Sequence, residues 1–491
     1  MDTLVHDTLV DRANQAQGSE APPINPAKDV QASQVQAPRR LVFWESEHTR
    51  PPELRISSGA VEELIGATSN YLQVAMKHPY LPVSQIRAQQ LARIRQLVEL
   101  AYKDIEVYRT KYRAAGFSPA DLRDWEDIQK IPVITKPELI AAFPDGCVNA
   151  RYNPEGLYST RSSGSSGQTL LIRVDQEAIL TDTVQGVRQF VLQSGGRYGP
   201  DDLLVHVYTV PWWFDSIGGQ YQTAFISNLI PPTGVAQHLR ELSPHILSIY
   251  PSNLHALMPH VEEFRSSLYL AVTHSEHSSR AARREWSRQL GLPVLDEYSS
   301  EEATRIAIEL PNGHYHVCED TVHLDVLDPE TLQPQIPGRP GLAVVTNLLN
   351  EAMPFIRYVQ GDFVTVPANP ERSYVNWSQI ANIGGRLNDA FVNRAGRVIA
   401  AGSILDATYR WMFDCGLHLA QFEIVQLEHA LVEARCVLGS GTTKTRFDES
   451  MAHLAELLSL CLEHPVQVKA QALDALPRRS AKQRPIRREM V

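Results

Sequence analysis

Cysteine is scarce. The 491 residues hold five, Cys147, Cys318, Cys415, Cys436 and Cys461, far apart and with no Cys-x-x-Cys pair. That usage excludes a disulfide scaffold and fits free thiols in a reducing compartment. No run of 18 or more apolar residues occurs, so a transmembrane helix is not expected. The first residues carry Asp2, His6 and Asp7 among few hydrophobics, unlike a secretory signal, so a cytoplasmic protein is expected. Excess positive charge is also missing. The formal net charge of −10 argues against non-specific nucleic-acid binding, which needs a basic surface. No internal repeat stands out.

What remains is the composition of an ordinary globular protein, 43% hydrophobic and 21% charged. The length allows a large core and two or more domains. Residues 1–40 are rich in Gln, Ala, Pro, Asp and Asn, and are expected to be disordered or loosely attached. Apolar spacing predicts an amphipathic helix from Ser84, a candidate N-cap, to Tyr112. A second helix is expected to start at Thr135-Lys136-Pro137-Glu138, with Thr135 as its cap.

Further on, strand-like and helix-like runs alternate. Helices are expected over Asp175 to Ser194, Tyr221 to Asn228 and Arg280 to Leu290, and strands over Asp202 to Val210, Leu268 to Thr273 and Pro293 to Leu295. This alternation predicts an α/β fold with much parallel sheet. From His314 the texture is β-rich, over Tyr315 to Val326, Gly341 to Leu348 and Asp362 to Pro367. A smaller α+β region follows, with strands at Phe391 to Ile399 and Leu419 to Val425 and a helix from Asp448 to His464. The expected division is a large domain over 41–385 and a small one over 386–491.

Between two strand-like runs, Gly156 to Thr160 and Thr169 to Val174, lies Ser162-Ser163-Gly164-Ser165-Ser166-Gly167-Gln168. Six consecutive Ser or Gly residues leave backbone N–H groups open, and such a turn can gather them into an anion-binding concavity. Polyphosphate suits it, although the same composition also makes a plain flexible connector. It is not the Walker motif, because no Lys-Ser/Thr follows the last Gly.

Four more segments follow in order. Asp296-Glu297-Tyr298-Ser299-Ser300-Glu301-Glu302 sets acids on both sides of an aromatic. Arg357-Tyr358-Val359-Gln360-Gly361-Asp362 places a cation and a carboxylate around what reads as a tight Gly turn. Gly384-Gly385-Arg386-Leu387-Asn388-Asp389 sits at the expected domain boundary. Pro477-Arg478-Arg479-Ser480-Ala481-Lys482 belongs to a basic tail. Each alone has a plain structural reading, as a solvated face, a turn or a basic tail.

Taken together and in this order, they resemble the adenylate-forming superfamily. The likeness is to its branch of phenylacetate–CoA ligases and CapK-type proteins, from about residue 85 to the end. Ala101-Tyr102, Val107-Tyr108-Arg109, Ala115-Gly116-Phe117 and Ile131-Pro132-Val133-Ile134-Thr135-Lys136 look like that branch's N-terminal region. The resemblance implies a large α/β domain of layered sheets and helices with a small mobile C-terminal α+β lid. It implies an ATP-dependent ligase in which a carboxylate attacks the α-phosphorus, pyrophosphate leaves, and the acyl-adenylate passes to an acceptor. CoA is the leading acceptor; an amine or a carrier protein is the alternative. A non-catalytic nucleotide-binding protein is the reading from another class, and the retained motif residues argue against it.

The roles implied are specific. Ser162, Ser163, Gly164, Ser165, Ser166 and Gly167 would hold the β- and γ-phosphates. Glu297, Tyr298 and Ser299 would flank the adenine. Asp362 would accept hydrogen bonds from the ribose hydroxyls. Glu302 would bind Mg²⁺, which takes a carboxylate plus phosphate oxygens and keeps several waters. Arg386 would contact the ribose or phosphate region. Lys482 would reach the α-phosphate and carboxylate, neutralising charge in the transition state. Asn388 stands where the branch's hinge is expected. The chain departs from the pattern at Gln168, where the loop usually has Lys, and at Ser299 and Ala481, which replace Gly. It departs also at Glu301, which leaves open which of two acids meets the metal. Asn393-Arg394-Ala395-Gly396-Arg397 resembles the CapK type, which keeps the acceptor open. The acid itself, and whether the protein is a monomer or homodimer, are not legible.

Two further clusters stand out. His314, His316 and Cys318 alternate and, with His323 nearby, offer zinc-ligand chemistry, although strand residues alternate by necessity. Trp212, Trp213 and Phe214 before Gly218-Gly219 could line an acyl pocket or simply fill a core.

Overall fold

The computed structural model describes residues 42–43, 71–162, 169–209, 216–217, 219–477 and 483–490. The N-terminal segment 1–40, the loop residues Ser163 to Gln168, the cluster Trp212 to Phe214 and Lys482 lie outside them.

Parallel strands rich in Val, Ile and Leu build the centre. The main sheet has nine strands in the order Val42–Phe43, Gln222–Ser227, Leu203–Tyr208, Ile246–Ile249, Leu270–Thr273, Val294–Ser300, Thr304–Glu309, Tyr315–Val317 and Gln379–Ile380. The first six run parallel and the last three join antiparallel. Alternation divides the side chains between two faces. Val205, Val207, Leu247, Ile249 and Ala271 pack with Val235, Leu239, Leu254 and Trp286 from the helices Pro232–Leu242, Pro251–Leu257 and Arg280–Leu290. Leu204, Ile246, Leu270 and Val272 pack with Val187 and Phe190 of the helix Gln176–Gln193. Both faces are covered, as parallel sheets require.

Local signals set several of these elements. Ser279 accepts the Ala282 N–H to start the Arg280–Leu290 helix, and Gly291 ends it at φ 71°. Thr135 and Glu138 form a reciprocal capping box on Lys136–Ala142. The expected helix over Tyr221 to Asn228 is instead the strand Gln222–Ser227. Its apolar residues are buried on both sides through pairing with Leu203–Tyr208, so no helical stripe was there to read. The single helix expected from Ser84 to Tyr112 is two, Val83–Asp104 and Glu106–Ala114, broken at Ile105 in extended conformation. Pro82, not Ser84, precedes the first turn. The expected Asp448 to His464 helix likewise splits, into Lys444–Glu449 and Met451–Leu462.

A second sheet is antiparallel, in the order Val322–Leu327, Pro340–Asn347, Tyr358–Thr365 and Asn382–Arg386. Nearer the C-terminus a third sheet orders Gln467–Leu473, Leu431–Leu438, Leu419–Glu428 and Ile486–Arg488. The helix Ala401–Asp414 joins it to the centre, and the Tyr409 ring meets Trp286 edge-on at 5.8 Å. The fold is α/β with added antiparallel sheet. No helix among the described residues is long and apolar enough to cross a membrane.

Candidate active site

Ligands in open α/β sheets bind outside the carboxyl ends of the strands. Here a cavity of about 1750 Å³ opens there, lined by Tyr208 and Tyr298 on two strands of the main sheet and by Tyr250 and His274 directly after the two strands between them. Every expected site residue that the structure describes lines it: Ser162, Glu297, Tyr298, Ser299, Glu302, Asp362 and Arg386.

The Ser/Gly loop spans a hairpin between Tyr158–Arg161 and Leu171–Val174. Its neck is closed by Ser162, whose N–H donates to the Leu170 carbonyl at 3.0 Å and whose Oγ accepts the Leu170 N–H at 2.9 Å. Ser162 is thus buried structure at the base of the loop, with its hydroxyl proton still available to a neighbour.

Cross-strand register brings the next group together. Asp362 and Arg386 are direct partners on adjacent strands, and Arg386 Nε meets Asp362 Oδ1 at 2.9 Å. The Tyr298 hydroxyl donates to Asp362 Oδ2 at 2.9 Å. Burial first, and then the Asp362 charge, push the Tyr298 phenol well above its ordinary range, so it stays a donor. The same carboxylate, above all, raises Arg386. The tight turn expected at Gly361 is a kink within the strand Tyr358–Thr365, where Gly361 adopts φ 78°. Arg357 does not face Asp362. It is buried beside the 3-10 helix Trp125–Lys130, donating to the carbonyls of Ile128, Gln129 and Ile131 and pairing with Asp325 at 3.3 Å.

The two adjacent acids part company. Glu302 is buried, and Tyr358 donates to its Oε1 at 3.0 Å, while Asn347 holds its backbone carbonyl. Glu301 turns to the hairpin, where Thr160 Oγ1 donates at 2.7 Å, with Tyr208 at 3.4 Å. Glu297, on the opposite face of its strand from Tyr298, takes the Gln189 amide at 2.7 Å. Gln189 also accepts from Arg305, which is paired with Asp182. This face of the cavity is a buried polar network rather than a greasy slot.

Three contributors escaped the sequence reading. Tyr358, four residues before Asp362, orients Glu302. Lys136, read from the sequence as a helix start and as part of the branch-like N-terminal region but given no role at the site, lines the cavity. His277 packs between Gly385 and Gly402: a Cβ at Gly402 would lie 2.7 Å from its Nε2, and one at Gly385 3.3 Å from its Nδ1. Just after Lys482 in sequence, the Gln483 N–H donates to Glu276 at 2.6 Å and Arg484 pairs with Asp389, which bring the C-terminal strand to the cavity mouth.

The His/Cys cluster does not assemble. His314 pairs with Glu371, His316 is buried against the His314 carbonyl, and His323 pairs with Asp325. Among the described residues no group of three or more such side chains could hold a metal ion.

No family model matches the chain. It is 26% identical over 329 residues to the phenylacetate–coenzyme A ligase of Escherichia coli (strain K12), across 64% of this chain and 74% of that one. To the ligase of the same name from Pseudomonas putida it is 28% identical over 332 residues, 64% and 73% of the two chains. In sequence the chain is thus similar to phenylacetate–CoA ligases of the adenylate-forming superfamily. The fold matches that of a 2-hydroxyisobutyryl-CoA ligase in its postadenylation state with bound 2-HIB-AMP, at TM-score 0.70 and 18% identity over 84% of this chain and 91% of that one. The same ligase in its thioesterification state gives 0.56 over the same share of this chain. An anthranilate CoA ligase bound to anthranoyl-AMP matches at TM-score 0.51 and 15% identity, over 69% and 67%.

Proposed function

We propose that this enzyme activates a carboxylic acid with ATP and passes the acyl group to CoA. The observation that carries the reading is the convergence of Asp362, Arg386, Tyr298 and Glu302 on one cavity at the carboxyl ends of parallel strands. In the first step an oxygen of the acid attacks the α-phosphorus, the bond to the β-phosphate oxygen breaks, and pyrophosphate leaves with the electron pair. In the second, the CoA sulfur attacks the carbonyl carbon and AMP leaves.

The chain's own groups supply positioning and charge. Asp362, already oriented by Tyr298 and Arg386, accepts the ribose hydroxyls on its remaining lone pairs. Glu302 suits a single-carboxylate Mg²⁺ site, because Tyr358 holds one oxygen and leaves the other for the metal. The bound ion would neutralise phosphate charge as pyrophosphate departs. The Ser163 to Gly167 loop cradles the β- and γ-phosphates, and Lys482 neutralises the reacting oxygens. Residues beyond Arg386 act as a lid hinged near Asn388. The chain works as a soluble cytoplasmic enzyme, as monomer or homodimer. Acid-dependent ATP–pyrophosphate exchange across a panel of carboxylic acids tests the first step. Adding CoA, amines or carrier protein to the active acid then tests the acceptor. A purified protein that exchanges with no acid of the panel and binds no ATP ends this reading.

A further inference from the structure

The cavity has two sides of different character. Tyr298, Asp362 and Arg386 gather on one of them, where the ribose is placed. The acid must bring its carboxylate to the α-phosphorus, so the rest of it extends into the space the nucleotide leaves. That space lies between the main sheet and the helix Gln176–Gln193, where Ile179, Asp182 and Phe190 of the helix line the cavity.

Strand register makes this space hollow and polar. Leu204, Ile246 and Leu270 fill the sheet face against the helix lower down. Two residues further along their strands, His206 and Ser248 stand side by side in register, and both line the cavity. Alternation puts them on the same face as Leu204 and Ile246, and a serine above an isoleucine leaves room. Two residues further again come Tyr208, Tyr250, His274 and Glu297. The Tyr208 ring lies 5.2 Å from that of Tyr250 and 5.3 Å from that of His274. The rim is thus aromatic, with a carboxylate at its far end.

The charges at that end do not balance. Arg305 donates to Asp182 at 2.5 Å and, through Nε, to Gln189 at 2.6 Å. The Gln189 amide passes on to Glu297 Oε2 at 2.7 Å. One guanidinium thus serves two carboxylates, and among the described residues no donor reaches Glu297 Oε1. Arg188, on the same helix, is held by Asp320. His206 adds no charge, because burial first, and then His274 and Arg305, hold its imidazole well below the ordinary range. Burial, the largest cause, raises the Asp182 carboxyl; Arg305 opposes this and Glu297 adds to it. A methyl group placed here would strip water from these carboxylates and return no hydrogen bond. An ammonium would return hydrogen bonds and charge together.

We propose that the acid activated by this enzyme carries a protonated amine remote from its carboxyl group, and that this ammonium binds against Glu297 and Asp182. This rests on the ATP-dependent reading of the site. It gives Glu297 a partner on its own face of the strand, in place of the adenine.

Matched acids test it. The para-aminomethyl, para-hydroxymethyl and para-ethyl derivatives of phenylacetate share one shape and differ in a terminal ammonium, hydroxyl or methyl group. The pair δ-aminovalerate and hexanoate repeats the comparison on an aliphatic chain. Pyrophosphate exchange gives kcat/KM for each acid, and KM for ATP, in full-length wild type, Glu297→Gln and Glu297→Asp, with melting temperatures to confirm folding. Wild type is expected to favour an amine over its methyl counterpart by roughly tenfold or more, as a charged hydrogen bond does. Glu297→Gln should cut that ratio by about tenfold while KM for ATP stays within about twofold, and Glu297→Asp should recover part of it. A wild type that uses the methyl or hydroxyl members as well as the amines overturns the proposal, and so does a preference for amines that Glu297→Gln leaves intact. A raised KM for ATP with an unchanged ratio returns Glu297 to the adenine. Should Glu297→Gln not fold, the wild-type preferences still decide. A wild type that binds ATP yet exchanges with no amine-bearing acid also overturns the proposal, whereas one that binds no ATP refutes the function on which it rests.

Discussion

Asp362 and Arg386 sit directly opposite each other on neighbouring antiparallel strands and close an ion pair of 2.9 Å, while Tyr298 donates to the second Asp362 oxygen. The carboxylate is therefore oriented before any ligand arrives. A ribose meeting it does not have to order it.

The first prediction follows from that arrangement. Asp362→Ala should weaken ATP and AMP to a similar extent, because both carry the same ribose. Each lost charged hydrogen bond is worth about 1.5–3 kcal/mol. Arg386→Met should have a smaller effect of the same kind, by loosening the carboxylate. Titration of both nucleotides against each variant checks this; selective loss of ATP in Asp362→Ala would contradict the ribose role.

Glu302 and Glu301 can be told apart by metal. Glu302→Gln should raise the Mg²⁺ concentration needed for half-maximal exchange by about tenfold or more, since a neutral amide is a poor Mg²⁺ ligand. Tyr358→Phe should shift it in the same direction but less, because it removes only the group that orients Glu302. Glu301→Gln should leave the metal dependence near wild type. If the metal defect appears in Glu301→Gln and not in Glu302→Gln, the two roles are exchanged.

Much of this frame could be read from the chain because its signals are local. Ser279 and Gly291 mark the ends of one helix, and Thr135 with Glu138 marks the start of another. The strand Gln222–Ser227 was missed because burial on both faces erases periodicity. Tyr358 and Lys136 were missed for a different reason. One is tied to Glu302 across 56 residues of sequence, and the other reaches the cavity only through the Ile134 bridge to a distant strand. No spacing within either segment encodes such a meeting. The separation of Glu301 from Glu302 likewise depends on where Thr160 and Tyr358 stand in space.

Acid should loosen the contact around His277. Burial chiefly pulls its imidazole down to about 4; Arg283 adds to this, and the carboxylates of Asp406 and Asp362 oppose it. The folded state keeps the ring neutral while the unfolded chain protonates it near 6.5. Stability from this group is thus present above pH 6.5 and is lost as pH falls toward 4. The shift corresponds to up to about 3 kcal/mol at the bottom of that window. Denaturant titrations of wild type and His277→Gln between pH 7 and 4 should show a shallower decline in the variant. Parallel declines would mean that His277 does not titrate in this way.

The last prediction concerns passage from the first half-reaction to the second. Asn388 is the middle residue of the short 3-10 turn Leu387–Asp389, directly after Arg386, the ion-pair partner of Asp362. The lid reading requires backbone rotation here once the adenylate has formed. The turn, as it stands, has the φ range of a 3-10 helix, close to the value near −65° that proline enforces. Proline at 388 thus fits the present arrangement and resists departure from it. Its cost falls on Leu387, since proline disfavours a helical residue before it, so a melting temperature must accompany the kinetics. For a folded Asn388→Pro enzyme, pyrophosphate exchange should stay within a few-fold of wild type, while thioester formation drops by about tenfold or more and acyl-AMP accumulates on the protein. Equal loss of both half-reactions in a folded variant would place the moving joint elsewhere. Unimpaired thioester formation would mean that no rotation at Asn388 is needed.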